Sequence, residues 1–530
     1  MKRIFPTRLL SSIGISLYAF AALSADIDAP TRQTLTTSVS AGENWNMPPS
    51  VSGTLPVLYI NVYDQDGNPD NEIISKDLSH KEYFNGEYWL DATGCEWMLA
   101  EGAESIGDSE HPLPLKIKAR GNYTRTKYSK KPFKLKLDKK QTLLGLSKSK
   151  HFAILPHADD NLGHLRNFTG FNLGRRMELP WTPDQQPLEL VINGDYRGLY
   201  FMTESIRVEE GRLEISELDD YATDLDLVSG GYLVEMDNYY EQNQIRFEEK
   251  NRPDGKSKTI AITFDTPEQY SDIQLRFVSD QFHHINDAIG ERSDGIWNYL
   301  DLDDAARYYI VKEIMADAEA YNGSTFLYRD RGENQKWHFS PLWDFGNAFI
   351  GHVDEYFSDL GYLFTNAWIP SMRLNEMFMD KVKETWKWYM SNKYDGIYED
   401  IDIMADRIST AVTYDYERWK DAPIPDEGKP VCDNRDILKS AMTVKNRLKL
   451  KCEWLEKQWG VYDDTTYPEP ERDTTPCAPL PDYMTSDVKA IPVSQQYEMY
   501  NLQGIRIQSA NAGETVIVRE GSNVRKMIIR

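Results

Sequence analysis

Cysteine is scarce in this chain, with four in 530 residues at positions 95, 432, 452 and 477. Four are too few for a disulfide scaffold, and their spacing lacks the close pairs of a zinc site. Long apolar runs are scarce too. After residue 25 no stretch approaches the about 20 apolar residues of a bilayer span. Internal repeats and low-complexity blocks are absent, which excludes solenoids and arrays. Basic residues are in the minority, 60 Lys and Arg against 84 Asp and Glu, giving a net charge of −24. Such a balance excludes a protein that wraps nucleic acid, because the phosphates would be repelled. What is present suffices for a large core: 40% of residues are hydrophobic and 12% aromatic, so general disorder is excluded. The length allows two to four domains.

Residues 1–25 have the pattern of a secretory signal peptide. Lys2, Arg3 and Arg8 precede a mostly apolar run from Leu9 to Leu23, and Ala22, Ser24 and Ala25 supply a cleavage region. The expectation is therefore an exported protein (periplasm, cell surface or extracellular) without stable membrane insertion. Export permits disulfides, and a Cys432–Cys452 bridge and four separate thiols both remain open.

Composition and periodicity divide the rest. Residues 26–54 are polar and rich in Thr and Ser, a flexible lead-in. From 55 to about 268 strand patterns dominate, as in LPVLYINVYD, PLELVINGDYRGLYFMTESI with its Asn193-Gly194 hairpin signal, and GGYLVEMD. Beyond 268 the spacing turns helical, over 267–289, 303–321, 370–391, 397–419 and 436–459. Strands followed by helices predict an α+β main domain over 55–460, with a β-rich N-terminal lobe and a helical C-terminal lobe. Residues 461–490, rich in Pro, Thr and Asp, are expected to be a linker, and 491–530 a small β module.

Within this acidic chain lies a basic island. Residues 116–140 carry 11 Lys and Arg and one acid, Asp138. Strand alternation places Lys116, Lys118 and Arg120 on one face with Ile117 and Ala119 on the other, and Lys134 and Lys136 alternate with Phe133, Leu135 and Leu137. Cations on a strand pair joined through Gly121 suit a polyphosphate, although a solvated basic face, or one meeting an anionic polymer or lipid, explains the same pattern.

A second constellation follows. Asp317 falls on the apolar stripe of Ala306, Ile310, Ile314 and Tyr321, where a carboxylate must be paired, bind metal or face a cleft. Asn322 comes five residues later, then a strand pattern, a turn, a second strand and Asp344-Phe345-Gly346. Asp, Asn and Asp-Phe-Gly in that order form the layout of a protein-kinase active site, where hard oxygen ligands hold divalent ions on the phosphates and an Asp receives the hydroxyl proton. The His-Arg that usually precedes the catalytic Asp is replaced by Met315-Ala316, and no three-glycine loop precedes the basic strand.

At these residues the sequence resembles the spore-coat protein H (CotH) family of atypical secreted kinases. The blocks that carry the resemblance are RGNYTRTKYSKKPFKLKL, LLGLSKSKHFAILPHADDNLGHLRN, INGDYRGLYFMTE, GGYLVEMD and SPLWDFGNAF. The resemblance implies a kinase-like bilobal fold, ATP with Mg²⁺ or Mn²⁺, and phosphate transfer to Ser or Thr of an exported or surface protein. It implies Asp317 as catalytic aspartate, Asp344 and Asn322 as metal ligands, and Arg120 with Lys131 or Lys134 on the phosphates. Glu204 is implied either as the partner of that lysine or beside the nucleotide, and capping of its hairpin explains it equally well. The last 40 residues resemble the C-terminal sorting modules of Bacteroidetes exported proteins, which implies export machinery as a partner. Two other readings stay open: a non-catalytic surface or adhesion protein on the same fold, and an adenylyl transferase.

Overall fold

The computed structural model describes residues 51–64, 67, 69, 82–93, 95, 104–237, 245–349, 366–422, 428–460 and 466–485, and the backbone of four strands between 497 and 528. The expected signal peptide and most of the lead-in lie outside the described residues. Two compact units divide the chain, 1–478 and 479–530.

The first unit begins with seven strands: β1 (Val57–Val62), β2 (Phe84–Asp91), β3 (Leu113–Ala119), β4 (Phe133–Gln141), β5 (Ser149–Leu155), β6 (Gln185–Ile192) and β7 (Asp195–Glu204). They close into a barrel in the order β1-β2-β3-β4-β5-β7-β6, sealed by the parallel pairing of β1 with β6. Closure leaves no unpaired edge. The alternation anticipated for β3 and β4 decides which side chains fill it. Leu115, Ile117, Ala119, Phe133, Leu135 and Leu137 are buried inside with Leu58, Ile60, Leu188 and Leu190. Each of the buried Leu, Ile and Phe side chains contributes about 1.5–3 kcal/mol. Asn193 and Gly194 take left-handed φ angles of 48° and 77° in the β6–β7 turn, as an Asn-Gly hairpin requires.

A second sheet, order β12-β11-β8-β10-β9, lies in the same unit. It comprises β8 (Tyr232–Met236), β9 (Ile245–Glu248), β10 (Thr259–Thr266), β11 (Thr325–Arg329) and β12 (His338–Phe339). The helices are α1 (Tyr123–Lys127), α2 (Arg166–Arg176), α3 (Leu225–Val228), α4 (Asp272–Glu291), α5 (Leu302–Ile314), α6 (Ile369–Met372), α7 (Glu376–Asn392), α8 (Gly396–Ile408), α9 (Ala411–Trp419) and α10 (Ile437–Trp459). The α+β order expected from the sequence is thus present. No described helix is long and apolar enough to cross a membrane.

Two expectations change, and one open alternative is decided. The helix expected over 303–321 stops at Ile314, because Ala316 turns left-handed (φ 44°) and Asp317 leaves the helical stripe. The helix expected over 397–419 is two, α8 and α9. Of the two cysteine readings left open, four free thiols is the one present.

Residues 466–478, within the stretch expected as a linker, are fastened along the helical half. Asp473 N–H donates to Asp303 at 2.7 Å and its carboxylate pairs with Lys336 at 3.1 Å, while Glu469 pairs with buried Arg307. The second unit holds α11 (Asp482–Thr485) and an antiparallel sheet of β13 (Tyr497–Tyr500), β14 (Arg506–Ile507), β15 (Thr515–Glu520) and β16 (Asn523–Ile528), in the order β14-β13-β15-β16.

Candidate active site

A cleft of about 760 Å³ opens beside the barrel, within the size range of a small-molecule site. Its lining includes Arg120, Lys134, Ala153, Leu155 and His157 from the barrel strands and their ends. Facing them are Asp159, Glu319, Trp343, Asp344 and Gly346 from loops, with Glu235 and Asp265 from the second sheet.

The strand side is cationic because outward positions alternate with barrel-filling ones. Arg120, just past the end of β3, holds its guanidinium 5.3 Å from the centre of the Trp343 ring. Burial lowers its pKa, and Asp344 and Glu235 oppose that shift. Lys134 on β4 is likewise lowered by burial, with Asp265 opposing. Ala153 stands opposite Lys134 on β5, so the same sheet face grades from cationic to apolar toward Leu155.

The loop side is acidic and conformationally demanding. Asp344 is exposed and adopts φ 49°, and Ala316, Tyr321 and Ser324 are also left-handed without being glycine. Residues held in that region cluster where surrounding structure over-determines the backbone, as functional sites do. Here the determinants are visible. Phe345 N–H donates to Asn167 at 2.8 Å, and the Gly346 carbonyl accepts from Arg166 at 2.6 Å. A Cβ at Gly170 would overlap the Phe345 ring, so glycine in α2 is what lets that ring dock. Arg166 also pairs with Asp160 at 3.6 Å.

Burial, reinforced by charge repulsion, gives these acids unusual proton affinities. Burial, then Asp344, pushes Asp159 up to about 6. The same two causes push Glu319 up to about 7. Glu235 is raised well above the carboxylate range by burial and by Asp237 and Asp265. Opposite them His157 is buried, and burial with nearby Lys130 lowers it to about 3, leaving it neutral.

Of the residues singled out from sequence, Arg120, Lys134 and Asp344 meet in the cleft. Asp317 lies beneath it, fully buried. Its carboxylate accepts from Lys312 at 2.7 Å and from the Glu319 N–H at 3.2 Å. Burial works against the Lys312 charge, yet Asp317, Tyr308 and Asp344 outweigh it and raise the lysine. The Asp317 backbone bridges to Ala348, which laces the two acidic loops together. Asn322 accepts a hydrogen bond from Lys258 and is not in the lining, although Gly323 and Ser324 are. Lys131 donates to the Arg125 carbonyl at 2.6 Å, outside the lining. Glu204, also outside it, accepts the N–H groups of Ser147 (2.8 Å) and Asp184 (3.0 Å) and so ties two loops to the barrel.

Sequence reasoning did not pick out Glu235, Glu319 or His157. Glu319 is two residues from Asp317, where a stripe-based reading looks only at the apolar face. Glu235 lies on a strand already recognised, GGYLVEMD, at a position flanked by buried residues, which was its available signal.

Whether these residues fit a divalent cation can be read from the donors. Asp344, Asp159 and Glu319 are hard oxygen ligands, and a Cβ at Gly346 would lie 3.0 Å from Asp344 Oδ1 and 3.4 Å from Asp159 Oδ2. Two carboxylates therefore converge around a space that glycine keeps open. They do not form a closed cage. Among the described residues, the one group of three acids or His close enough to share an ion is Asp301, Asp304 and His338, outside this lining. One or two carboxylates plus substrate phosphates is the usual setting for Mg²⁺, so the cleft fits.

Comparison with known families agrees with the geometry. The model of the CotH kinase protein family matches residues 117–440, more than half of the chain, from β3 into α10. No curated protein matches.

Proposed function

The chain belongs to the CotH kinase family, and from that premise we propose that it is a metal-dependent phosphotransferase moving the ATP γ-phosphate to a Ser or Thr hydroxyl of an exported or cell-surface protein. The observation that carries this reading is the meeting of Arg120 and Lys134 with Asp344 and Asp159 across one cleft. In it the barrel acts as the N-terminal lobe and the helical half as the C-terminal lobe of a kinase-like pair. Arg120 and Lys134, rather than Lys131, bind the phosphates, and the apolar end at Ala153 and Leu155 receives the base. Asp344 and Asp159 would hold the cation, with Asn322 joining if Lys258 releases it. That cation supplies charge neutralisation on the transferring phosphate.

The acceptor oxygen attacks the γ-phosphorus, the bond to the β-phosphate oxygen breaks, ADP leaves, and the hydroxyl proton passes to a carboxylate. Two carboxylates compete for that role: Asp317, the one its motif assigns, reaches the cleft only if Lys312 releases it. Glu319 is the carboxylate of the same loop that already lines it, with a proton affinity near neutrality. Asp317→Asn and Glu319→Gln separate the two. The base variant keeps ATP binding and loses transfer, whereas the other keeps most of its turnover.

The direct test is a thermal-shift titration with ATP, with and without Mg²⁺ or Mn²⁺. A metal-dependent rise in Tm is expected. No rise in a folded sample overturns the reading in favour of a non-catalytic surface protein. Product mass then separates phosphate, about 80 Da added, from AMP, about 329 Da.

A further inference from the structure

The geometry points to an acidic polypeptide as the phosphate acceptor, docked on a lysine row on the outer face of β3 and β4 that leads into the cleft. The inference rests on the phosphotransferase reading for the purpose of the surface, but the surface itself is read from charge and register. Lys118 stands directly opposite Lys134, and Lys116 directly opposite Lys136. Because the intervening residues fill the barrel, all four amines share the outward face, with Cβ atoms about 5 Å apart across the strands. Like charges so placed destabilise a sheet. A chain with 84 acidic residues has ample means to neutralise them.

It does so only in part. Lys118 lies 4.8 Å from the Tyr83 ring with Glu268 nearby, and Lys134 faces Asp265. Farther along β4, Lys140 pairs with Glu209 at 2.8 Å and Asp138 is exposed. Lys116 and Lys136, both exposed, have no ion pair among the described residues. The positive field extends past β4. His151, opposite Lys136 on β5, is lowered to about 4 by burial and then by Arg207, Lys134 and Lys136.

Continuity with the cleft gives this row its direction. Lys134 belongs to both, and Lys116 and Lys136 lie one pleat farther out, about 7 Å along the strands. A segment with acidic side chains on Lys116 and Lys136 would thus deliver a neighbouring hydroxyl toward Asp344. Other polyanions fit less well. A lipid surface needs an apolar anchor, and none of the exposed large hydrophobics among the described residues lies on β3 or β4. A nucleic acid duplex would meet the net charge of −24 beyond the row.

The test uses fluorescently labelled poly-L-glutamate and the full chain, read by anisotropy at low and high salt. Binding should weaken with salt. The double variant Lys116→Glu/Lys136→Glu, neither residue lining the cleft, should lose about tenfold or more in affinity while its metal-dependent ATP shift stays unchanged. Lys116→Gln/Lys136→Gln should lose less and guards against a folding defect. Equal affinity in wild type and both variants, or no binding by wild type, overturns the proposal. Tighter binding of phosphatidylglycerol vesicles or of a DNA oligonucleotide than of poly-L-glutamate overturns the choice of partner. Salt-sensitive, lysine-dependent poly-L-glutamate binding in a chain with no ATP shift upholds the surface and sinks the kinase reading alone.

Discussion

On the strand side of the cleft, Arg120 and Lys134 are set by a ladder in which every second residue is committed to the barrel core. On the loop side, Asp344, Glu319 and Asp159 hang from segments with left-handed turns, pinned by Arg166, Asn167 and the Phe345–Gly170 contact. The first wall holds its charges where regular backbone puts them. The second buries acids close to the Asp344 charge, and burial first, then that repulsion, lets Asp159 and Glu319 keep protons at a pH where ordinary carboxylates have lost them. The difference teaches that regular backbone fixes the charges of the cationic wall, whereas packing of distant loops sets those of the acidic wall.

The largest effect expected is on the support beneath the acid side. Lys312→Met leaves Asp317 as an uncompensated buried carboxylate and should cost about 3–5 kcal/mol in urea unfolding. A loss under about 1 kcal/mol would show that the loop does not depend on that pair. Next comes Asp344→Ala, which should weaken metal-dependent ATP binding about 100-fold or more while the unfolding midpoint stays near or above that of wild type, since a repelling charge is removed. Unchanged binding would remove Asp344 from the metal. On the cation side, Lys134→Met should cost about tenfold in ATP affinity and little stability, because methionine keeps the apolar stem.

The smallest effect is the pH dependence. In the free protein Glu319 titrates near 7 and Asp159 near 6, both above their values in an unfolded chain. Between about pH 4 and pH 7 the unfolded state therefore holds fewer protons, and stability falls as pH rises through that window. Mn²⁺ affinity should move the opposite way, rising from pH 5 to 8 as both carboxylates ionise, and Glu319→Gln should flatten the upper part of the rise. A pH-independent Mn²⁺ affinity would mean that neither acid faces the ion.

Much of the strand architecture was legible from period-two patterns, including β1, β3, β4, the β6–β7 hairpin and β8. The helix through Asp317 was not, since Met315 and Ala316 are ordinary helix residues and nothing local marks the break. It ends where Asp317 finds Lys312 and where the Asp344 loop crosses it. Residues 466–478 had the composition of a linker, yet Asp473 and Glu469 find Lys336 and Arg307 more than 130 positions away.

By itself the sequence determined the alternation that sends lysines out and leucines in along β3 and β4, because a strand's side-chain period is a property of its backbone. It also determined the order Asp, Asn, Asp-Phe-Gly. Only the tertiary structure decided which of these carboxylates reach the cleft. Asp159 and Asp344 lie far apart in the chain and converge through packing, and Asp317, marked by its motif, is held under the surface by an ion pair. Burial and mutual repulsion, which set proton affinity, exist only after distant loops have been brought together.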